Sequence, residues 1–380
     1  MRKVRRVVLA LAIWLVVVGC SSSWEVTLVE PDGATAAVSR DDLRALELFA
    51  DDEGSVPLER VLYGYGYRLV ETLQVTDVEG ADHAFVWPQV AKDALWRTDG
   101  VVELGGEELR PARIAGQVPA ALETVTAGLT DVAPTAAAAL GLTAPSEATG
   151  RVLMDPPDVD HVVLLFLDGF GYVRYQEARD AGLIPNLAAL GEPVVGLAAY
   201  PPSTVVSSAA ILTGAPPEAN GVVERRARKT EIETLFDVAA EAGLRVVAVE
   251  GNALSFNLRN ADTTLSGDHD GNGSTDDNAL ANALEVLQGP MPDLFWIHFH
   301  GIDDAGHTYG PGAPEEEAAV AGVDAAVGEL LAAFPPRTWV LIFADHGMHA
   351  VEEGERLGNH AHLIERDMLV PIWTTNPTEN

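Results

Sequence analysis

The chain is expected to be an α/β protein: a doubly wound, mostly parallel sheet with helices on both faces, preceded by a small N-terminal α/β domain. Three observations predict this. Beyond Asp160, short unbroken apolar runs rich in β-branched residues recur. Amphipathic stretches of helical period separate them. Before about residue 118 the texture differs, with shorter alternating segments joined by turn residues.

At 380 residues, 47% of them hydrophobic, the chain can bury a large core. Its 57 acidic and 24 basic residues give a net charge of −33. A surface of that sign repels nucleic acid and anionic head groups, so no nucleic-acid-binding surface is expected. An anionic substrate would need local positive charge, which bound metal cations supply.

Residues 1–19 read as an export signal. MRKVRR carries four positive charges, and VVLALAIWLVVV after it is wholly apolar but short for a membrane span. The ending Val17-Val18-Gly19-Cys20 resembles a bacterial lipobox, which implies lipidation of Cys20, with residues 20–24 as lipidated cysteine and tether. The chain is then an exported lipoprotein anchored on the extracytoplasmic face of a membrane. Cys20 is the only cysteine, so no disulfide forms within one molecule.

Residues 25–118 are expected to form the small domain. WEVTLVE alternates as a strand, Ser39 before DDLRALELF caps a helix, and VPLERVL starts another. LVETLQVTDVEG and GVVELGGEELRPARIAG read as short strands. The pattern faintly resembles the sulfite-oxidase-type molybdopterin domain. That family needs a cysteine ligand, and Cys20 is already assigned, so an accessory or binding module is expected.

Residues 119–380 form the expected catalytic domain. The runs HVVLLFL, VVGLAA, RVVAVE, DLFWIHF and TWVLIFA are its strands; TLFDVAAEAGL, NALANALEVL and EEEAAVAGVDAAVGELLAAF are among its helices. Ligands in such a sheet bind beyond the carboxyl ends of the strands. HVVLLFL runs into Asp168, DLFWIHF into the segment from His300 to His307, and TWVLIFA into Asp345-His346, so three strands deliver carboxylates or imidazoles to one edge. Seven of the ten histidines lie between His298 and His362. An Asp/His donor mixture suits zinc and similar transition metals better than calcium. In PPSTVVSSAAILTG, Thr204 opens an apolar helical run, where free N–H groups and the helix dipole favour phosphate. A metal beside that hydroxyl would make it a nucleophile, whereas a plain helix cap is the commoner role for Ser or Thr there.

The ordered motifs LFLDGFG, PSTVVSSAAILTG, GIDDAGHTYGP, ADHGM and GNHAH resemble the alkaline phosphatase superfamily, and most closely its type I phosphodiesterase/nucleotide pyrophosphatase branch. The resemblance spans roughly residues 158 to 373. It implies an alkaline phosphatase-like fold and two divalent cations, zinc or alternatively manganese. Asp168, Thr204, Asp345 and His346 would hold one cation; Asp303, His307 and His360 would hold the other, with His362 the second choice for the last place. It implies a Thr204 nucleophile, a covalent phospho-threonine, and a small-molecule or lipid phosphate ester as substrate. A phosphomonoesterase, a phospho-group transferase and a non-catalytic metal-binding lipoprotein are the alternatives. The sequence departs from the branch in two places: Ser207 stands where an asparagine contacts the phosphate, and Asn220-Gly221 where His-Gly is frequent.

Two further segments carry expectations. Asp131-Val132-Ala133-Pro134-Thr135 with Leu140-Gly141 resembles a segment usual near the C-terminus of this superfamily's domain, so residues 119–153 would be a circularly permuted closing element. Asp268, Asp270, Asn272 and Asp276 have the spacing of an EF-hand-type calcium loop with Gly273 at its sixth position, although Ala279 stands where the bidentate Glu belongs.

Overall fold

A computed structural model of the protein describes residues 24–46, 50–51, 54–269, 271–352 and 354–376. The signal segment, Cys20 and Asp270 lie outside the described residues. Packing divides the chain into two compact units, Met1–Pro119 and Ala120–Asn380.

Among the described residues the first unit holds two sheets. Glu25–Val29 lies between Thr35–Ser39, antiparallel, and Pro111–Gln117, parallel; Thr72–Asp77 and Asp82–Val86 complete five strands. A second sheet runs Ser55–Pro57, Leu95–Arg97, Val102–Leu104, Glu107–Leu109. Alternation in WEVTLVE puts Val26 and Leu28 inward, both buried. Ser39 and Asp42 cap the Arg40–Arg44 helix: the Ser39 N–H and hydroxyl both donate to Asp42 Oδ2, at 2.8 and 2.6 Å. Tyr67 fills the core beneath Gly116, where a Cβ would lie 2.6 Å from the ring, and its hydroxyl donates to Val29 O at 2.6 Å.

The second unit is the doubly wound α/β domain that the run-and-helix alternation predicts. Its eight strands are ordered Ala127–Gly128, Val194–Leu197, Leu369–Thr375, Thr338–Phe343, His161–Leu167, Leu294–Phe299, Val246–Glu250, Asp262–Leu265. Leu369–Thr375 is antiparallel to both its neighbours, and every other pairing is parallel. The central strands are apolar throughout because helices cover both faces, and all seven residues from Val162 to Asp168 are buried. Phe166, Trp296 and Phe343 are each buried to 1% exposure or less and meet edge-on or tilted at ring distances of 5.3 to 6.2 Å. Burying each such ring is worth roughly 2–3 kcal/mol.

Register decides what reaches the site. Phe166 lies opposite His298 on one side and Phe343 on the other, so Asp168, His300 and Asp345 leave three adjacent strands at the same edge. The Thr204–Thr213 helix begins after the Val194–Leu197 strand and stops at Gly214, whose φ of +67° is the usual helix-ending left-handed turn. Only glycine fits there, since a Cβ would sit 2.8 Å from that of Ala148.

Residues 120–153 pack within this second unit. Ala127–Gly128 adds an edge strand beside Val194–Leu197, and the Val132–Ala139 helix lies against Thr204–Thr213. Asp131 ties both ends of the segment, accepting from Gly128 N at 3.0 Å and Arg151 N at 2.8 Å.

Candidate metal centre

Four elements converge at the carboxyl edge of the sheet. Asp168 follows the His161–Leu167 strand, Thr204 opens its helix, Asp345-His346 follow Thr338–Phe343, and Asp303 and His307 lie one turn apart on the Gly301–Tyr309 helix. His360 comes from the loop after the short strand Gly358–Asn359. The turn after Asp168 needs Gly169, with φ +73°: a Cβ there would lie 3.0 Å from Cα and Cβ of Asp303.

The Thr204 hydroxyl is 3.3 Å from Asp168 Oδ1 and 3.4 Å from His346 Nε2. Ser203, in extended conformation, occupies the cap position, so Thr204 is the first helical residue and its hydroxyl points into the cluster. The first N–H groups of that helix have no acceptors within it and are available to an anion. His346 Nε2 is 3.2 Å from Asp345 Oδ2 and 3.5 Å from Asp168 Oδ1. On the other side, Asp303 Oδ2 is 3.4 Å from His307 Nε2 and Asp303 Oδ1 is 3.9 Å from His360 Nε2. The His346 and His360 rings stack with centroids 3.9 Å apart, so His346 belongs to both halves.

The three imidazoles are oriented alike. The Nδ1 of His307 meets Gly358 O at 2.8 Å, that of His346 meets Gly347 O at 3.0 Å, and that of His360 meets Pro202 O at 2.8 Å. Each carbonyl accepts the Nδ1 proton, which leaves three Nε2 lone pairs turned inward, as metal ligation requires. Burial lowers the pKa of all three, and His346 lowers that of His360 further, which favours the neutral imidazole near pH 7. Burial, followed by the charge of Asp168, pushes Asp303 and Asp345 well above the usual carboxylate range. Asp168 goes the other way: burial opposes its ionisation, but hydrogen bonds from His298 and His300 hold it well below that range.

The donor set fits divalent cations. Asp303 Oδ1 and Asp345 Oδ2 are buried and accept no hydrogen bond among the described residues. A buried carboxylate oxygen left in that state is costly unless a cation meets it.

His362, the second choice for the last ligand, lies elsewhere. Its ring is 5.1 Å from that of His349, and its N–H donates to Asp367 Oδ2 at 3.0 Å. Ser207 is fully buried and donates to the main-chain oxygen of Asp345 at 2.9 Å, so it braces the ligand loop instead of facing a substrate. Asn220 is buried in a turn, accepting from Val222 N at 2.8 Å and donating to Ala215 O at 2.9 Å. In the calcium-spaced loop, Asp268 accepts from Gly271 N and Gly273 N at 2.7 and 3.0 Å. The ninth-position carboxylate, Asp276, is engaged elsewhere. Its two oxygens accept from His300 N and Gly301 N at 2.8 and 2.9 Å, capping the helix that carries Asp303.

Sequence reasoning assigns no role to His298, His300 or Glu250. Behind Asp168 Oδ2 lie His298 Nε2 at 3.2 Å and His300 Nδ1 at 3.3 Å, with Glu250 beyond both rings. A cavity of about 600 Å³ opens on a different face of the Gly301–Tyr309 helix, lined by Gly301, Asp304, Ala305 and Thr308. Asp303 and His307 are not part of its wall.

The sequence model of the type I phosphodiesterase / nucleotide pyrophosphatase family matches residues 162–243 and 256–375, more than half of the chain. The chain belongs to that family. The phosphodiesterase match includes Asp168, Thr204, Asp303, His307, Asp345, His346 and His360. Over 124 residues the chain is 26% identical to the catalytic subunit of GPI ethanolamine phosphate transferase 3 of Mus musculus, and 25% identical to that of Homo sapiens. The matched stretch is 33% of this chain and spans only 10% of the length of either relative. Among solved structures, phosphonoacetate hydrolase from Sinorhizobium meliloti 1021 is similar in complexes with phosphonoacetate and with phosphonoformate. The TM-score is 0.43 in both cases, at 19% and 21% identity, covering 55% of this chain and 60% of that one.

Proposed function

We propose that this phosphodiesterase-family chain is a metal-dependent phosphoric ester hydrolase that uses Thr204 as its nucleophile. The observation that carries the proposal is the Thr204 hydroxyl held 3.3 Å from Asp168 Oδ1 and 3.4 Å from His346 Nε2, beside two buried carboxylate oxygens that lack hydrogen-bond donors. In this reading Asp168, Thr204, Asp345 and His346 hold one cation and Asp303, His307 and His360 the other. Bound there, two divalent cations would lower the pKa of the threonine hydroxyl and neutralise charge on the phosphoryl oxygens. Zinc suits the donors best, with manganese the alternative.

The chain's own groups do the rest. The N-terminal turn of the Thr204–Thr213 helix receives the phosphoryl oxygens. Thr204 Oγ1 gives up its proton and forms a bond to phosphorus as the bond to the leaving oxygen breaks; that oxygen takes a proton from water and leaves as the alcohol, giving a phospho-threonine. Water then adds to that phosphorus, the Thr204 ester breaks, and phosphate or its monoester leaves. Gly358, Gly347 and Pro202 carbonyls keep the three imidazoles in one tautomer throughout.

A second reading, transfer of the phosphoryl group to an alcohol in place of water, is favoured by the transferase activity in the names of the two mammalian relatives. It uses the same first step. We also propose that Cys20 carries a lipid, that the catalytic unit lies outside the cytoplasm, and that residues 119–153 are a permuted closing element. The sequence alone supports the first two; the edge strand Ala127–Gly128 supports the third. Among the described residues no helix is long and apolar enough to cross a membrane.

The deciding experiment compares hydrolysis of bis-p-nitrophenyl phosphate and p-nitrophenyl phosphate after chelation and after zinc is restored, with Thr204→Ala alongside. Zinc-restored turnover lost in Thr204→Ala supports the proposal, and the faster ester separates diesterase from monoesterase. Turnover that survives the substitution overturns the nucleophile assignment. A chain that binds no metal overturns the whole reading.

A further inference from the structure

We infer that Asp168, His298 and His300 form a third cation site, backed by Glu250. It is separate from the two cations proposed above, although its sharing of Asp168 with the nucleophile side rests on that proposal.

The ligand atoms are already gathered. Asp168 Oδ2 is 3.2 Å from His298 Nε2 and 3.3 Å from His300 Nδ1, and all three atoms lie within 4.8 Å of one another. A tetrahedral cation with bonds of about 2.0–2.1 Å has ligand-to-ligand edges of about 3.3 Å. Asp168 and His298 are almost wholly buried and His300 is 15% exposed, so the three ligand atoms are enclosed.

The opposite nitrogens are also engaged. His298 Nδ1 is 3.0 Å and His300 Nε2 3.3 Å from the same oxygen, Glu250 Oε2. The other Glu250 oxygen accepts from Trp296 Nε1 at 2.7 Å, which fixes the carboxylate. The two rings make four nitrogen-to-carboxylate contacts, each ring touching Asp168 through one nitrogen and Glu250 through the other. The two rings lie tilted at 36° with their centroids 3.7 Å apart. With a cation at Asp168 Oδ2, each ring would give its N–H to Glu250 and its lone pair to the metal. This is the carboxylate–histidine–metal arrangement that sets ligand tautomer and basicity.

The surrounding chain is shaped to hold these rings. Phe166 stacks on His298 with centroids 3.7 Å apart. Asp276 pins the main chain at His300 and Gly301. Gly251 leaves room for the His300 ring, since a Cβ there would lie 2.6 Å from its Cδ2. The Asp/His₂ set suits zinc or a neighbouring first-row divalent ion. Asp168 would then bridge, with Oδ2 to this cation and Oδ1 toward Thr204, which fixes the carboxylate that orients the nucleophile.

The test is metal stoichiometry on the full chain, extracted in detergent, stripped by chelator, titrated with zinc alone and read by elemental analysis after gel filtration. Because an acidic surface takes up zinc loosely, the quantity read is the difference between wild type and variants. His298→Asn/His300→Asn is expected to bind one zinc fewer than wild type. Glu250→Gln is expected to weaken that one zinc about 10–100-fold while leaving the others unchanged. Should the double variant fail to fold by circular dichroism, the Glu250→Gln titration decides alone. A wild type that saturates at two zinc ions, with both variants identical to it, overturns the third site and leaves the proposed function standing. A wild type that binds none overturns both.

Discussion

Thr204 and Asp168 are joined across the molecule: residues 36 apart in sequence place a hydroxyl and a carboxylate oxygen 3.3 Å apart at the mouth of the sheet. Asp168 is held at the end of a central strand, and Thr204 is the first residue of a helix anchored at its far end by Gly214. Neither group can move far without displacing a buried element. Thr204→Ala is therefore expected to leave the fold intact, to weaken the cation on the Asp168 side by the one ligand it removes, and, with zinc at saturation, to cut turnover by on the order of 10³-fold or more. Thr204→Ser, which keeps the hydroxyl, should retain measurable activity. Phosphate trapped on the protein after acid quench, present in wild type and absent in Thr204→Ala, would check the covalent step directly.

Ser207 offers a second prediction. Its hydroxyl is the buried donor to the Asp345 main-chain oxygen. Ser207→Ala should cost about 1–2 kcal/mol of stability, since the carbonyl is left without its donor. A group that braces a metal ligand should lower kcat more than it raises KM, and more zinc should restore part of the loss. An increase in KM alone would instead make Ser207 a substrate contact.

The strands and their chemistry are legible because each apolar run stops at the ligand it delivers: HVVLLFL at Asp168, TWVLIFA before Asp345-His346. The observed strands His161–Leu167 and Thr338–Phe343 end within a residue of those runs. The Glu250–His298–His300 network is not legible. Glu250 closes one apolar run and His298 lies inside another, and only the lateral pairing of Val246–Glu250 with Leu294–Phe299 brings them together. No local period encodes which strands become neighbours. Spacing makes Asp276 part of a loop, whereas its partners are backbone groups 24 and 25 residues away. Family position makes Ser207 a substrate contact, and its burial follows from the helix face turned to Asp345.

Metal uptake should be proton-coupled, and its sign follows from the site. Burial and the Asp168 charge raise Asp303 and Asp345 well above the usual carboxylate range, so in the metal-free chain they keep protons that free carboxylates would lose. Cations bind the ionised form, so affinity should rise with pH and binding should release protons. His307, His346 and His360 have lowered pKa values and already offer lone pairs, adding little to the release. The unfolded chain gives up its carboxyl protons first, so these two groups make the chelated fold less stable as pH rises beyond the usual carboxylate range. Zinc titration calorimetry in buffers of different ionisation enthalpy reads the release, and Asp303→Asn should reduce it. Uptake that is proton-neutral at every pH would contradict the assignment of both carboxylates.

The fold away from the site turns on a buried ion pair. Arg174, on the helix Tyr172–Asp180, meets Glu316, on the helix Pro314–Ala333: Nε to Oε1 is 2.7 Å and the second nitrogen reaches Oε2 at 2.6 Å. Both are at most 5% exposed. Burial alone would lower the arginine's pKa, and Glu316 more than offsets it. Two charges in such a place cost desolvation that their fork geometry returns only when both are present. Glu316→Ala should therefore lose about 3–5 kcal/mol, because the buried guanidinium loses its two-pronged partner and keeps only the half-exposed Glu177 carboxylate 3.9 Å away. Replacing both by apolar residues of similar size, Arg174→Met with Glu316→Leu, should recover most of that loss. Chemical denaturation of the single and double variants measures both numbers. A double variant no more stable than Glu316→Ala would mean that the pair's hydrogen bonds, Gly312 N to Glu316 Oε2 at 3.1 Å among them, matter more than the stranded charge.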